Sequence, residues 1–218
     1  MEKPLTITAV SGWAVPSEWF HSQIEEYFSD AKINVLYPSN PGDSQEAERL
    51  LKSNKADLYL GYSLGSLWLM LYQKMLPPAS IRAVLAPVSG FTRERDRGGK
   101  TPETKLKYLI RQLKKYPKDP SPLREFYSDA GINISDGWLP RVPENEVLLK
   151  GLEFLRTAPV PETEDLNAIA LVGKEDNFLN GDKLIEYFPQ LEIIASAGHS
   201  PELLLNRLAD ILNSTLNE

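Results

Sequence analysis

Cysteine is absent from this 218-residue sequence, and histidine occurs only twice. Without cysteine the chain has no disulfide bonds, no thiolate metal site and no cysteine nucleophile. The two histidines do not form a ligand-spaced cluster, so we expect no metal and no cofactor. Long apolar runs are also missing, since none approaches the roughly 18 residues of a membrane-spanning helix. No glycine-rich phosphate-binding loop is present.

An excess of positive charge is absent as well. The net charge is −6 and the isoelectric point is about 5.1. No nucleic-acid-binding motif is present, so we expect neither nucleic acid nor a membrane as a partner. The first residues lead directly into a strand-like run, which predicts no secretory signal. Together with the lack of cysteine, this favours a cytoplasmic protein.

Strand-like and helix-like runs alternate along most of the chain. Such alternation predicts an α/β protein with a mostly parallel sheet flanked by helices. The predicted strands cover residues 5–10, 33–37, 57–60, 81–87, 167–172 and 192–195. The predicted helices between them cover residues 17–30, 44–54, 64–76, 181–187 and 201–216.

Residues 90–164 interrupt this alternation. No convincing strand occurs there, and amphipathic helix patterns are separated by proline-rich joints. We therefore predict a helical cap, residues 90–164, inserted into a core made of residues 1–89 and 165–218. Aromatic residues of the cap are candidate walls of a substrate pocket, although packing within the cap is the commoner role of such side chains. The candidates, together with one residue of the core, are Phe126, Tyr127, Trp138 and Trp13.

The segment Gly61-Tyr62-Ser63-Leu64-Gly65 follows a predicted strand and precedes a predicted helix. This is the G-x-S-x-G pattern in the strand–turn–helix context that a nucleophile elbow requires. Such a turn strains the serine backbone and exposes its hydroxyl. The residues two before and two after the serine crowd each other, so both must be small. The alternative is an ordinary glycine-rich turn, which the downstream residues disfavour.

Those downstream residues are an acid and a histidine. Asp176 follows the strand predicted at 167–172, and His199 lies between the last predicted strand and the last predicted helix. The chain order Ser63, Asp176, His199 is the order of serine, acid and base in α/β-hydrolases. Glu175 is adjacent to Asp176 and is the alternative acid, but we favour Asp176.

Each of these residue types has a defined chemical role. A serine hydroxyl becomes a good nucleophile when a base such as His199 removes its proton, and an acid such as Asp176 orients that base. Two backbone N–H groups must also stabilise the oxyanion, and the removal of one costs roughly 3–4 kcal/mol. Leu64, directly after the serine, is one predicted donor. Trp13, in the loop after the first strand, is the other, although a plain strand-ending turn would also explain that loop.

Four segments resemble the pimeloyl-[acyl-carrier protein] methyl ester esterases of biotin synthesis, a family of the α/β-hydrolase superfamily. They are residues 11–13, 61–65, 148–157 and 197–201, and the resemblance extends over nearly the whole chain. It implies the α/β-hydrolase fold with a catalytic triad of Ser63, Asp176 and His199. It also implies oxyanion donors at Trp13 and Leu64 and a basic cap that contacts an acidic carrier protein.

Three positions depart from the family pattern. Ser11 and Ala14 stand where the family has histidine and glycine around the Gly-Trp pair, and Ser66 replaces a second glycine after the elbow. The chain is also shorter than most members. These departures leave the triad intact and affect the shape of the oxyanion loop.

The predicted cap contains a basic region. Between Arg93 and Arg124 there are 11 lysines and arginines and 4 acidic residues, a local net charge of +7 within a chain of net charge −6. A solvated helix face is the common explanation of such a run. A docking face for an acidic carrier protein is the alternative. Its candidate residues, at helical spacing, are Lys107, Arg111, Lys114 and Lys118.

The sequence therefore predicts a serine carboxylesterase whose substrate is a small acyl ester, with the methyl ester of pimeloyl-[acyl-carrier protein] as the preferred one. An esterase or thioesterase for another short-chain acyl group is equally compatible with the triad. A hydrolase fold without catalytic activity that serves as a binding protein is the alternative from another class.

Overall fold

A six-stranded sheet forms the centre of the protein in the computed structural model, which describes residues 4–163 and 166–216. The neighbouring strands are all parallel, and their order is β2-β1-β3-β4-β7-β8. They are β1 (Thr6–Val10), β2 (Lys32–Leu36), β3 (Leu58–Tyr62), β4 (Ile81–Leu85), β7 (Ile169–Gly173) and β8 (Leu191–Ile194). All six predicted strands are confirmed.

Helices connect these strands. They are α1 (Ser17–Tyr27), α2 (Ser44–Ser53), α3 (Leu64–Leu71), α4 (Glu103–Lys115), α5 (Ser121–Ala130), α6 (Asn145–Thr157), α7 (Gly181–Leu184) and α8 (Pro201–Leu216). Short 3₁₀ turns cover Gln73–Met75, Arg93–Arg95 and Asp136–Arg141. Within the described ranges, no helix combines the length and the apolar composition that crossing a membrane requires.

The direction of the connections reverses in the middle of the sheet. From β1 the chain moves to β2 on one side, whereas from β3 it moves to β4 on the other. Because crossovers between parallel strands are right-handed, α1 and α3 cover opposite faces. The carboxyl ends of β1 and β3 are neighbours at this reversal, where open α/β sheets bind their ligands. The loops carrying Trp13 and Ser63 follow these two ends.

The core is deepest around β3 and α3. Every residue of β3 is buried, and seven of the eight residues of α3 are buried as well. A helix that is apolar on all sides must be enclosed by protein. The turn between β3 and α3 is therefore held from both sides, which fixes the backbone of Ser63.

Residues 90–163 contain two strands that the sequence did not predict. β5 (Gly90–Thr92) and β6 (Gly98–Thr101) form a separate two-stranded sheet, so the expectation that this segment contains no strand was wrong. These strands are short and glycine-rich and show no alternation of apolar residues. At Gly99 an added Cβ would lie 2.1 Å from the carbonyl oxygen of Phe91, so only glycine allows this approach. The three helices α4, α5 and α6 follow. The predicted boundary at residues 164 and 165 lies outside the described part of the chain.

Candidate active site

Ser63 occupies a strained turn between β3 and α3. Its backbone φ is 52° and ψ is −115°, a conformation that non-glycine residues rarely adopt. The backbone N–H of Ser63 donates to the Leu85 carbonyl at 3.0 Å, which anchors the turn to β4. Strain of this kind costs roughly 1–3 kcal/mol and persists only where the surroundings enforce it.

The glycines on either side make this turn possible. A Cβ on Gly61 would lie 2.7 Å from the carbonyl oxygen of Gly65, and one on Gly65 would lie 2.1 Å from that of Val10. This confirms the prediction that both residues must be small. Ser66 donates its hydroxyl to the Ser63 carbonyl at 2.6 Å and accepts from the Val88 N–H at 3.1 Å. The serine at position 66, where the resembling family has glycine, therefore links the elbow to the segment after β4.

The structure brings Ser63, His199 and Asp176 together in one chain of hydrogen bonds. The Oγ of Ser63 lies 2.9 Å from Nε2 of His199, and Nδ1 of His199 lies 2.7 Å from Oδ2 of Asp176. An ionised carboxylate only accepts, so Nδ1 carries the proton and Nε2 accepts from the serine hydroxyl. All three residues are buried, with relative exposures of 5%, 2% and 1% respectively.

Asp176, not Glu175, points at the histidine. The second carboxylate oxygen of Asp176 accepts from the backbone N–H groups of Phe178 at 2.7 Å and Leu179 at 2.9 Å. These bonds fix the plane of the carboxylate. Glu175 is exposed, and its backbone N–H donates to the Ala197 carbonyl. The sequence preference for Asp176 agrees with this geometry.

The loop carrying Asp176 is tied to the small sheet. The Nζ of Lys100 on β6 donates to the Asp176 carbonyl at 2.6 Å, and the backbone N–H of Lys100 donates to the Phe178 carbonyl at 2.8 Å. The Asn180 N–H donates to the Gly98 carbonyl at 2.7 Å. Sequence reasoning missed Lys100, because a contact across 76 residues leaves no local signal.

Tyr62 and Phe178 support the histidine from two sides. The hydroxyl of Tyr62 donates to the His199 carbonyl at 2.8 Å. Burial raises the pKa of this hydroxyl and the charge of Asp176 raises it further, so the phenol stays a donor. The Phe178 ring meets the imidazole edge to face at 4.9 Å. Tyr62 lies inside the elbow motif, yet nothing in the motif specifies this contact.

Two backbone N–H groups next to Ser63 have no acceptor within the described residues. They belong to Trp13 and Leu64, the two predicted oxyanion donors, and both residues are buried. The Trp13 loop adjoins the serine, since a Cβ on Gly12 would lie 3.4 Å from the Cβ of Ser63. The Trp13 indole is itself fixed by a 2.9 Å bond to the Leu148 carbonyl. Backbone N–H groups of buried residues are seldom left without a partner, so these two are available to an acceptor that is not part of the chain.

A cavity of about 180 Å³ lies among helices α4, α5 and α6, beside the loops that follow β1 and β7. Trp13 and Phe126 line it, as predicted. Aromatic rings lead from it toward the histidine: Phe126 meets Trp13 at 4.7 Å and stacks on Phe178 at 5.6 Å, and Phe178 in turn contacts His199. Leu106 and Leu109 extend the apolar part of the wall, and charged side chains of α4 and α5, such as Lys105 and Glu125, line another part.

Two other aromatic residues do not line this cavity, contrary to expectation. Tyr127 points its hydroxyl at the Ala14 carbonyl at 2.6 Å. Trp138 lies in the 3₁₀ turn and stacks under the guanidinium of Arg141 at 5.5 Å. The sequence does not distinguish rings that face a cavity from rings that pack elsewhere.

The four basic residues proposed to share one helix do not all do so. α4 ends at Lys115, so Lys118 lies beyond it, and the expectation was wrong for that residue. Lys107 forms an ion pair with Glu103 at 2.9 Å. Arg111 and Lys114 are exposed on α4. In the described ranges, no three His, Asp or Glu side chains lie close enough together to hold a metal ion.

The strand order, the elbow and the loop positions together define the α/β-hydrolase fold, and solved structures share it. An N-acyl homoserine lactonase, AidH, superposes with a TM-score of 0.69 at 12% identity, covering 97% of this chain and 89% of that one. A lipase-esterase related protein from Clostridium acetobutylicum gives 0.65 at 12% identity, covering 98% and 95%. BioG from Haemophilus influenzae gives 0.56 at 12% identity, covering 89% and 88%.

No protein-family model matches the chain, and no curated protein sequence matches it. Likeness to structures at 12% identity shows the fold alone, so the chemistry has to be argued from the site itself.

Proposed function

We propose that the protein is a serine hydrolase that cleaves carboxylic esters, with Ser63 as nucleophile, His199 as base and Asp176 as the acid that orients it. The observation that carries this proposal is the buried chain of hydrogen bonds from Asp176 through His199 to Ser63. A strained serine at the end of such a chain is what nucleophilic catalysis requires. The fold of the lactonase and of the lipase-esterase related protein is compatible with it.

In each step of the proposed reaction, His199 either accepts or donates the proton that is transferred. Oγ of Ser63 attacks the ester carbonyl while Nε2 of His199 takes its proton. The tetrahedral intermediate collapses, His199 returns that proton to the departing alkoxide, and an acyl-serine remains with the alcohol released. Water then attacks the acyl-serine as His199 takes a proton from it. Collapse of the second intermediate releases the acid and restores the Ser63 hydroxyl.

The oxyanion formed in both steps needs preorganised donors. The N–H groups of Trp13 and Leu64 serve this role in the proposal, because they are buried, free of acceptors and adjacent to Ser63. Asp176 keeps its charge throughout and stabilises the imidazolium that forms on His199.

The acyl chain extends in this proposal into the cavity beside Trp13 and Phe126. A cavity of about 180 Å³ whose wall is apolar beside these two rings suits a short to medium acyl chain. Residues 90–163 act as a cap, since their helices supply Phe126 and Leu106 to the wall. The rings of Phe126 and Phe178 lie between the cavity and the histidine, so they must move apart when the substrate carbonyl reaches Ser63.

The methyl ester of pimeloyl-[acyl-carrier protein] is the substrate that we propose. The resemblance of four segments to the esterases of biotin synthesis supports it, and so do the exposed Arg111 and Lys114 on α4, which suit an acidic carrier. Other short acyl esters and thioesters use the same site chemistry, and a catalytically silent binding protein is the remaining alternative.

A panel of substrates tests this assignment. Purified protein is assayed on carrier-bound pimeloyl methyl ester, on the free methyl ester of a dicarboxylic acid, and on p-nitrophenyl esters of increasing acyl length. We expect the highest kcat/KM on the carrier-bound ester, with release of methanol. Higher kcat/KM on a thioester or on a simple ester reassigns the substrate and leaves the mechanism intact. No turnover on any member, with no labelling of Ser63, favours the binding protein.

A further inference from the structure

Ala14 adopts a backbone conformation that alanine normally avoids. Its φ is 58°, in the left-handed region that favours glycine. The residue follows Trp13 directly, in the turn closed by the Val15 N–H donating to the Gly12 carbonyl at 3.2 Å. A relaxed Ala14 would open this turn, and the Gly12–Trp13 peptide that carries the Trp13 N–H is part of it. Some other interaction must therefore hold Ala14 in place.

Two tyrosine hydroxyls supply that interaction. The N–H of Ala14 donates to the hydroxyl oxygen of Tyr37 at 3.0 Å, and the hydroxyl of Tyr127 donates to the carbonyl oxygen of Ala14 at 2.6 Å. Both polar groups of one strained residue are thus held by side chains. Tyr37 directly follows β2, and Tyr127 lies on α5. The two tyrosines reach Ala14 from the sheet and from the helices of residues 90–163.

The protonation of these hydroxyls suits their roles. Burial raises the pKa of Tyr37 and of Tyr127, and the neighbouring Tyr37 adds to the effect on Tyr127. Both phenols are therefore neutral at ordinary pH, so Tyr127 keeps the proton that it donates. Tyr127 is buried with a relative exposure of 3%, which keeps water from competing for the Ala14 carbonyl.

We propose that Tyr37 and Tyr127 are positioning residues that hold Ala14 in the left-handed conformation and thereby aim the Trp13 N–H at the oxyanion. The inference rests on the proposed ester hydrolysis for its effect on rate, whereas the conformation of Ala14 is independent of it. Tyr127 also makes the oxyanion loop depend on how α5 packs. Glycine at position 14 would adopt this conformation without strain, whereas alanine needs the two tyrosine hydrogen bonds to hold it there.

Kinetics of conservative variants test the rate effect. Tyr37→Phe and Tyr127→Phe each remove one hydroxyl, and we expect kcat on a p-nitrophenyl ester to fall about tenfold for each and about a hundredfold for the pair, with KM nearly unchanged. Tyr72→Phe is the matched control, because its hydroxyl donates to the Pro41 carbonyl at 3.2 Å, away from the loop. Its kcat should stay within about twofold of the wild-type value.

Rescue by glycine distinguishes positioning from general damage. Adding Ala14→Gly to the double phenylalanine variant should raise its kcat by about threefold or more, because glycine adopts positive φ without strain. If the double variant does not fold, the same comparison is made on each single variant. A loss of kcat that Ala14→Gly fails to reverse, or no loss at all, overturns the proposal.

A crystal structure of the double variant decides the matter without any substrate. The proposal expects Ala14 to leave the positive-φ region and the Trp13 N–H to turn away from Ser63. An unchanged backbone at residues 12–14 overturns it. Absence of ester hydrolysis in the wild-type protein would instead defeat the proposed function, and the crystal structure would still decide whether the tyrosines hold Ala14.

Discussion

Three hydrogen-bond donors surround the carboxylate of Asp176. One oxygen faces Nδ1 of His199, and the other accepts from the N–H groups of Phe178 and Leu179. Three donors on one buried carboxylate leave it a single orientation. Glu175, its exposed neighbour, makes no comparable side-chain contact in the described residues.

Substitution of the two acids should therefore have unequal effects. Asp176→Asn keeps the shape but presents an amide to Nδ1, which favours the wrong imidazole tautomer, so we expect kcat to fall about 10³- to 10⁴-fold. Glu175→Gln should change kcat by less than about twofold. Steady-state kinetics on one p-nitrophenyl ester measure both. The reverse ranking would move the acid role to Glu175.

The sequence identifies individual site residues where they belong to a local motif. Ser63, Asp176 and His199 could be predicted because each follows a strand in a fixed order, and their flanking residues carry the signal. Lys100 and Tyr37 could not, since each acts through a contact between distant segments. Ala14 was visible only as a departure from glycine, and its consequence required the backbone angles.

The connection of β3 to α3 depends on close backbone contact. Gly61 and Gly65 face each other across the elbow, and the Cβ of an alanine at position 61 would meet both the Gly65 carbonyl and the Ser66 Cα at 2.7 Å. Backbone atoms cannot yield as the end of a side chain can. The elbow must therefore open if Gly61 is replaced, whereas a Cβ at Gly65 would push α3 away from the Val10 carbonyl at the end of β1.

Gly61→Ala should lower the free energy of unfolding by about 1–3 kcal/mol and displace Ser63 from His199. Gly137→Ala is the matched control, since its Cβ would meet only Oγ of Ser135, at 3.8 Å. Urea denaturation of both variants, together with kcat, tests the contact. Equal stability of the two variants would contradict the account of the elbow.

β5 and β6 show why some elements escape prediction. Three of their seven residues are glycine, which is depleted in strands, and β6 pairs with β5 and with the loop after Asp176. The strands of the main sheet, in contrast, have apolar runs that identify them without tertiary information. The alternation of strands and helices therefore predicts the fold correctly wherever burial requires apolar residues.

Charge is distributed unevenly over the whole molecule. The net charge is −6, yet the stretch from Arg93 to Arg124 carries a local net charge of +7. Ion pairs with acids outside this stretch neutralise part of it, as Lys105 with Asp129 and Arg124 with Asp136 show. Arg111 and Lys114 remain exposed on α4 and are the strongest candidates for contact with an acidic carrier.

Charge reversal on α4 tests this docking. Arg111→Glu with Lys114→Glu should lower kcat/KM on a carrier-bound substrate about tenfold or more at low ionic strength, because exposed charges govern encounter. Added salt should shrink the difference, and kcat/KM on a free p-nitrophenyl ester should barely change. Arg49→Glu with Lys52→Glu on α2 is the control of equal charge change. Equal losses on both substrates would mean that α4 matters for folding.

The role of Ser63 as the nucleophile can be tested directly with a single variant, Ser63→Ala. Wild-type protein and Ser63→Ala are treated with a fluorophosphonate, the adduct is located by mass spectrometry, and kcat is measured on the best ester. We expect the label on Ser63 in the wild type, no label in the folded variant, and a fall in kcat of several orders of magnitude. A variant that keeps more than about a hundredth of the wild-type rate, or that is still labelled, would contradict the account.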